Sequence, residues 1–180
     1  MSESTDEELM LKIQQGDQRA CEALVDQHLM PLTRFAVRML GSRSRAEDAT
    51  QETFLKVWTN AHQWQSGKAK VSTWLHTIAH NVCIDHIRKD KSLYQESLSK
   101  DHNTDSQPDD EPHEMSDQIF SALNVLAESQ RTAIVLCYYQ GLSNKDAAHV
   151  IGVSVPALES LLARGRRALK KVLMPVEEAN

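Results

Sequence analysis

The run Gly141–Leu173, GLSNKDAAHVIGVSVPALESLLARGRRALKKVL, constrains the fold more than any other part of the chain. Its punctuation specifies two helices joined by a tight turn. Ser143 can cap the first helix, and Asp146 three residues on resembles a capping box with Asp in place of the usual Glu. Ala147, Ala148, Val150 and Ile151 supply small or apolar packing, and Gly152 supplies a turn at which a positive φ is expected. Ser154 can cap the second helix, and Pro156 falls in its first turn, where a missing N–H costs little. Val155, Leu158, Leu162, Gly165, Leu169 and Val172 recur at helical spacing and define an inward stripe. At about 100° per residue, Ser160, Arg164, Arg167 and Lys171 gather on the opposite side, flanked by Ala163 and Lys170. This is the layout of a helix-turn-helix. In that layout the second helix is expected to enter a DNA major groove, with cations on phosphates and its N-terminal end near base edges.

The rest of the chain is helical too. Six glycines and five prolines among 180 residues, few aromatics and long periodic segments predict an all-α protein of two small helical domains. No run of eighteen apolar residues exists, so no membrane span is expected. The opening MSESTDEELM is acidic and polar and is no secretory signal, which predicts a cytoplasmic protein. Cys21, Cys83 and Cys137 are scattered, odd in number and set among apolar neighbours, as reduced core thiols would be.

A net charge of −5 argues at first against nucleic acid, but its distribution reverses that. Residues 31–100 carry eleven basic and six acidic side chains, and residues 119–180 carry seven and five. Residues 1–30 carry two and seven, and residues 101–118 carry none and seven. Local clustering, not the total, sets the field at a surface. The polar, acidic segment 96–117 lacks large apolar groups and reads as a flexible linker between a domain at 1–95 and the helix-turn-helix domain at 118–180. Its 22 residues span at most roughly 75 Å stretched, or about 25 Å as a relaxed coil.

Four helices are expected before the linker. They run from Asp6 to Gln15 (Leu9, Met10 and Ile13 inward, ending at Gly16), Gln18 to Leu40 (bent or broken near Pro31), Arg45 to Gln63, and Ser72 to about Asp90. After it, Ile119, Phe120, Leu123 and Leu126 mark a short helix, and Ser129 to Tyr139 another with Ile134, Val135 and Tyr138 inward. On the third helix Asp48, Gln51, Glu52 and Leu55 form one exposed stripe, while Phe54, Val57 and Trp58 belong to the core. On the fourth, Val71, Leu75, Ile78 and Val82 form the core side with Trp74 at its edge. Thr73, Thr77 and His80 face away, and Asn81 and Arg88 lie near the rim. Ile84 and Ile87 fall opposite the core stripe and either pack on another helix or contact unstacked DNA.

The blocks AEDATQETFLKVW (46–58) and STWLHTIAHNVCIDHIRK (72–89), together with the C-terminal segment, closely resemble the extracytoplasmic-function (ECF) family of bacterial RNA polymerase sigma factors. The resemblance covers both domains in order. It implies that Asp48, Gln51, Glu52 and Leu55 dock on an arginine-bearing coiled coil of the polymerase clamp, a partner that carboxylates suit through charge-assisted hydrogen bonds. It implies that the loop Gln65–Lys70 and the following helix open the minus-ten element and take up an unpaired base. Lys68, Lys70, His80, Asn81 and Arg88 are the candidate minus-ten contacts. Glu159, Ser160, Ala163, Arg164, Arg167 and Lys171 are the candidate minus-thirty-five contacts. The family also implies core RNA polymerase and promoter DNA as partners, a linker threading a nucleic-acid channel, and control by an anti-sigma protein. One departure stands out. Many relatives begin the reading helix with Gly-Thr-Val-Lys-Ser-Arg, whereas this chain has Pro156, Ala157, Leu158, Glu159, Ser160 and Leu161. Two expected cations are gone, and Glu159 either accepts from a cytosine amine or is an acid favoured by the helix dipole.

Three other readings compete with this one. His80, Cys83 and His86 at i, i+3 and i+6 could bind zinc, but they project over more than 100° of helix surface and no fourth ligand is evident. Cys83 near a histidine could be a nucleophile, yet no oxyanion site or Gly-rich phosphate loop accompanies it, so neither an enzyme nor a cofactor is expected. A stand-alone helix-turn-helix regulator would account for the C-terminal segment but has no need of the AEDATQETFLKVW block.

Overall fold

The computed structural model describes residues 5–99 and 117–174, which divide between two compact units. No strand occurs among the described residues.

The first unit holds α1 (Asp6–Gln14), α2 (Gln18–Leu40), α3 (Arg43–Asn60) with a 3-10 turn at Ala61–Gln63, and α4 (Val71–Ser99). Local chemistry sets each boundary. Thr5 and Glu8 form a reciprocal capping box at α1: the Glu8 N–H donates to Thr5 Oγ1 at 3.3 Å, and the Thr5 N–H donates to Glu8 Oε2 at 3.1 Å. Gly16 turns the chain at φ 84°, and Asp17 then accepts from the Arg19 and Ala20 amides to start α2. Gly41, in the left-handed region, ends α2 and Ser42 caps α3. Pro31 neither bends α2 into two elements nor ends it. The lost ladder bond is outweighed by burial of Leu24, Leu32, Phe35, Ala36, Met39 and Leu40 along one helix. The buried positions of α3 are small or β-branched (Ala46, Ala49, Thr50, Thr53 and Val57), so its backbone lies close to its neighbours. Both threonine hydroxyls donate back to the carbonyl four residues earlier at 2.7 Å, which satisfies them without water.

Helix α4 is the central rod of this unit and packs against α1, α2 and α3. Val71, Thr73, Leu75, His76, Ala79, His80, Val82, Cys83 and Ile84 are all buried. Nine buried positions in fourteen residues cannot fit on one stripe. The expectation that Thr73, Thr77 and His80 face away is therefore corrected: Thr73 and His80 are buried and Thr77 is half-buried, because the helix is covered on more than one side. Ile84 is resolved as core and Ile87 as half-buried, whereas Ile78 is only half-buried. The helix also runs nine residues past the expected end at Asp90, taking in Glu96–Ser99 from the segment read as linker. The remainder of that segment, apart from Asp117 at the start of α5, lies outside the described residues.

The second unit holds α5 (Asp117–Val125), α6 (Glu128–Ile134) running into a π turn at Val135–Tyr139, α7 (Asn144–Ile151) and α8 (Val155–Leu173). Leu123, Leu126, Thr132, Ala133, Ile134, Val135 and Leu136 are buried, and Ile119 and Phe120 are half-buried. The Arg131 guanidinium donates to the Leu123 carbonyl at 2.9 Å and the Asn124 carbonyl at 3.2 Å, closing the C-terminal end of α5. Helices α7 and α8 meet at 94°, within the helix-turn-helix range. Gly152 makes the turn at φ 79°.

Gly165 sits where α8 crosses α6: a Cβ there would lie 3.0 Å from Ile134 Cγ1. Leu158 and Leu162 are buried beside it and Leu169 is half-buried, but Val155 and Val172 are exposed, so the inward stripe is shorter at both ends than its periodicity suggested. At α7 the Ser143 hydroxyl accepts from the Asp146 amide at 3.1 Å and donates to the Asp146 carboxylate at 2.8 Å. This differs from a reciprocal box, in which the acid would reach the backbone at the cap; the shorter Asp side chain meets the hydroxyl instead.

Candidate nucleic-acid and partner interfaces

Three surfaces carry the predicted site residues. The first lies on α3. Asp48 and Gln51 are exposed and Leu55 is 64% exposed, an apolar side chain offered directly to solvent. Glu52 is different in kind. Its Oε2 receives His86 Nε2 of α4 at 3.0 Å and its Oε1 receives Lys56 Nζ at 3.0 Å. Hydrogen bonds from His86 and then Lys56 hold its carboxyl below the usual carboxylate range. An Arg45–Asp90 ion pair adds a second tie between α3 and α4. Trp58, expected in the core, is 36% exposed. It lines a shallow cleft of about 380 Å³ with Gln18, Cys21, Glu22, Val25 and Asp26 of α2. The small residues of α3 occupy the buried seam, which leaves the bulkiest ring on its margin.

The second surface is the loop 65–70 and the face of α4 beyond it. Lys68 and Lys70 are exposed, Gly67 takes φ 82°, and Asn81 and Arg88 are exposed farther along α4. The loop is pinned from beneath. Trp64 is buried and its indole N–H donates to the Ala69 carbonyl across the loop at 3.2 Å. Gln14 of α1 donates to the carbonyls of Ala61 and Trp64, both at 2.9 Å, and Ser66 donates to Glu7 at 3.2 Å. Sequence reasoning missed this support. The only signal was one tryptophan in an otherwise polar run, AHQWQSGKAK.

His80 does not belong to that surface. It is 9% exposed, and its Nδ1 is buried with no hydrogen-bond partner among the described residues. Burial, and then the charge of Arg88, push its pKa down to about 4, so the ring is neutral. Burial likewise pushes the Cys83 thiol up to about 12, and the Cys21 and Cys137 thiols are raised for the same reason; all three are free. His86 is committed to Glu52. The trio His80, Cys83 and His86 therefore does not converge, and no three His, Cys, Asp or Glu side chains are grouped to hold a metal among the described residues.

The third surface is α8. Glu159, Ser160, Arg164, Arg167 and Lys171 are exposed and Ala163 is half-buried, as the spacing predicts. The Ser154 hydroxyl caps the helix by accepting from the Ala157 amide at 3.3 Å. Ser160 donates back to the Pro156 carbonyl at 3.1 Å, and Arg164 Nε donates to the Ser160 carbonyl at 3.3 Å. No carboxylate is ion-paired with Arg164, Arg167 or Lys171 among the described residues, so their charge is available to an external anion. Tyr138, expected inward, is 56% exposed, and its hydroxyl accepts from Arg166 Nη1 at 2.7 Å. The π turn is the cause: its i→i+5 bond, from the Gln140 N–H to the Val135 carbonyl at 3.0 Å, widens the coil and rotates Tyr138 off the buried face. No helix among the described residues is by itself long and apolar enough to cross a membrane.

Comparisons with known proteins bear on both units. Residues 24–93 match the family described as Sigma-70 region 2, and residues 116–169 match Sigma-70, region 4. The chain is 32% identical over 184 residues to the ECF RNA polymerase sigma factor SigW of Bacillus subtilis, covering 92% of this chain and 98% of that one. It is 32% identical over 167 residues to the ECF sigma factor SigE of Mycolicibacterium smegmatis, covering 88% of this chain and 64% of that longer one. Among solved structures, the sigma factor RpoE of Bartonella quintana, in complex with the anti-sigma factor NepR, superposes with a TM-score of 0.70 at 27% identity, over 84% of this chain and 95% of that one. CnrH, in complex with the cytosolic domain of CnrY, superposes with a TM-score of 0.72 at 26% identity, over 93% and 96%.

Proposed function

Because the chain belongs to the ECF family of RNA polymerase sigma factors, we propose that it binds core polymerase, recognises and helps melt promoter DNA, and so directs transcription initiation. The observation that carries this reading is the presence of both sigma regions, in order, in one all-helical chain. A stand-alone regulator would need only the second of them. Sigma factors are initiation factors without an enzymatic step of their own; the polymerase forms the phosphodiester bonds. Cytoplasmic residence follows from the same reading, since that is where promoter and polymerase meet.

The division of labour follows the three surfaces. Asp48, Gln51 and Leu55 present acceptors and an apolar anchor to the polymerase clamp, and Glu52 joins them with its carboxylate already ionised and oriented by His86 and Lys56. Lys68 and Lys70 offer charge to the phosphates of the melted minus-ten strand, and Asn81 offers a donor and an acceptor to a base edge. Arg88 extends the same face of α4. His80 has no part in this, because a buried neutral ring cannot reach DNA. Arg164, Arg167 and Lys171 hold the backbone of the minus-thirty-five element, with Glu159, Ser160 and Ala163 nearest the bases. The acidic segment 96–117 joins the two domains along the polymerase. An anti-sigma protein holds the chain inactive, as the NepR complex of the similar RpoE suggests.

Transcription in vitro tests the whole. Added to core polymerase and genomic DNA, the protein should yield transcripts with a few defined starts sharing minus-ten and minus-thirty-five sequences. Failure to bind core enzyme, with tight binding to duplex DNA by the chain alone, would overturn the reading.

A further inference from the structure

We propose that Tyr138 and Arg166 together form a phosphate clamp that grips the DNA backbone beside the bases read by α8. The proposal rests on the reading that this unit binds the minus-thirty-five element, and it concerns two residues outside the stripe that sequence spacing assigns to DNA.

The argument begins with the π turn. Helix α6 ends in an i→i+5 bond, an arrangement that costs regular hydrogen-bond geometry and recurs at functional sites. Its effect here is to lift a tyrosine out of the core, so that the ring is 56% exposed and its hydroxyl stands against α8. There Arg166 Nη1 donates to it at 2.7 Å. A phenol is an unusual sole partner for a guanidinium, because it brings no negative charge. No carboxylate is ion-paired with Arg166 among the described residues, so the cation is held in place but not neutralised. Helix α8 carries five cations, Arg164, Arg166, Arg167, Lys170 and Lys171, against the single acid Glu159, so Arg166 stands in a positive field that favours an anion.

The chemistry of the pair fits an anion. The Tyr138 oxygen accepts from Arg166 and still has its own proton to donate, and the adjacent positive charge polarises that O–H. The remaining guanidinium N–H groups and the phenol O–H can then converge on oxygens of one phosphate, as charge-assisted bonds. Position on the helix excludes base reading. Arg166 is one residue, about 100°, round from Arg167 and off the outward stripe, and it lies about two turns beyond Glu159, away from the N-terminal end of α8 that approaches the bases. A contact from there goes to backbone, so the clamp adds affinity and register without sequence preference.

The test uses holoenzyme assembled from the full chain and core polymerase, on a promoter fragment mapped by transcript sequencing, with affinity measured against KCl concentration. Arg166→Gln should weaken binding about tenfold and reduce the slope of log K against log [salt] by about 0.9, equally on the native promoter and on one with altered minus-thirty-five bases. Arg166→Lys keeps the charge and should restore the slope. Tyr138→Phe should weaken binding about threefold with the slope unchanged, since it deletes a neutral donor. Arg167→Ala serves as the control. If Arg166→Gln leaves slope and affinity unchanged while Arg167→Ala lowers both, the pair is a strut inside the fold and the clamp is wrong. If neither variant changes the slope, the assignment of α8 to DNA fails with it. Helical circular dichroism of each variant separates loss of contact from loss of fold.

Discussion

Helices α4 and α8 make an instructive pair, because both are long, both carry predicted DNA contacts, and spacing separates buried from exposed side chains better in α8 than in α4. α8 is covered along one stripe, Leu158, Leu162 and Gly165, and its opposite side is all solvent and cations. α4 is surrounded by α1, α2 and α3 for its first fourteen residues, so polar side chains at Thr73, His76 and His80 are enclosed with the aliphatic ones. Helical periodicity gives relative angles. It does not say how many sides have neighbours. Where one side is covered, a residue at an outward angle is exposed; where several are, a polar residue at an outward angle can be enclosed.

The contrast can be broken by experiment, and the three tryptophans help, since Trp58, Trp64 and Trp74 all lie in the first unit and their fluorescence reports on it alone. The largest effect is expected from Phe35→Ala. Phe35 is fully buried in α2 and meets the His76 ring edge-on at 5.8 Å. Its loss should destabilise the first unit by about 3–5 kcal/mol, read as a lower fluorescence midpoint in urea. A loss below that of an exposed substitution would mean that α4 is less enclosed than described.

Next is the pH dependence carried by His80. Its folded pKa, about 4, lies below the ordinary 6.5, so between those values the unfolded chain binds a proton that the folded chain refuses. Stability is therefore full above pH 6.5 and falls as pH drops toward 4, by about 3 kcal/mol at the limit. His80→Leu removes both the titration and the orphaned Nδ1. It should flatten that part of the profile, raise stability at pH 6, and leave promoter opening intact. Loss of opening with the fold preserved would return His80 to the DNA surface.

In the second unit the corresponding probe is Gly165→Val, which forces side-chain carbon into a site where even a Cβ would be 3.0 Å from Ile134. Overpacking of that kind costs about 1–3 kcal/mol and should weaken minus-thirty-five binding while leaving the tryptophan midpoint in place. The smallest change in stability is expected from Asp48→Lys, within about 0.5 kcal/mol because the residue is exposed. Core polymerase affinity should nevertheless fall about tenfold, as expected when a charge-assisted contact becomes a repulsion. Unaltered affinity would remove Asp48 from the docking surface.

Much of the architecture was legible because its signals are local. Gly16, Ser143, Gly152 and Ser154 act through hydrogen bonds or backbone conformation within a few residues, and the helix boundaries at those positions followed; the Ser42 cap was passed over, and α3 starts at Arg43 rather than at Arg45. The exposure of Asp48, Gln51 and Leu55 on α3 and of the cations of α8 was legible from helical spacing. What escaped depends on partners distant in sequence. Glu52 was assigned to a free stripe, but His86, thirty-four residues on, claims one of its oxygens. Trp58 and Phe54 were grouped with Val57 as core, yet α3 approaches its neighbours through alanines and threonines and leaves Trp58 at the margin. Tyr138 was misplaced by a single extra residue in the π turn, a change of local winding that 3.6-residue periodicity cannot register. The end of α4 was set too early because no glycine or proline marks it, and none was required for the helix to continue.

The ties from Gln14 to Ala61 and Trp64, at the base of the 65–70 loop, and from Glu7 to Ser66 within it carry a practical consequence. Both residues precede position 24, where the recognisable sigma sequence starts. A chimaera spliced at that boundary would transplant the loop proposed to meet the minus-ten strand and leave its brace behind. Swaps meant to exchange minus-ten preference between relatives should therefore begin upstream of Thr5, or carry a matching first helix from the donor.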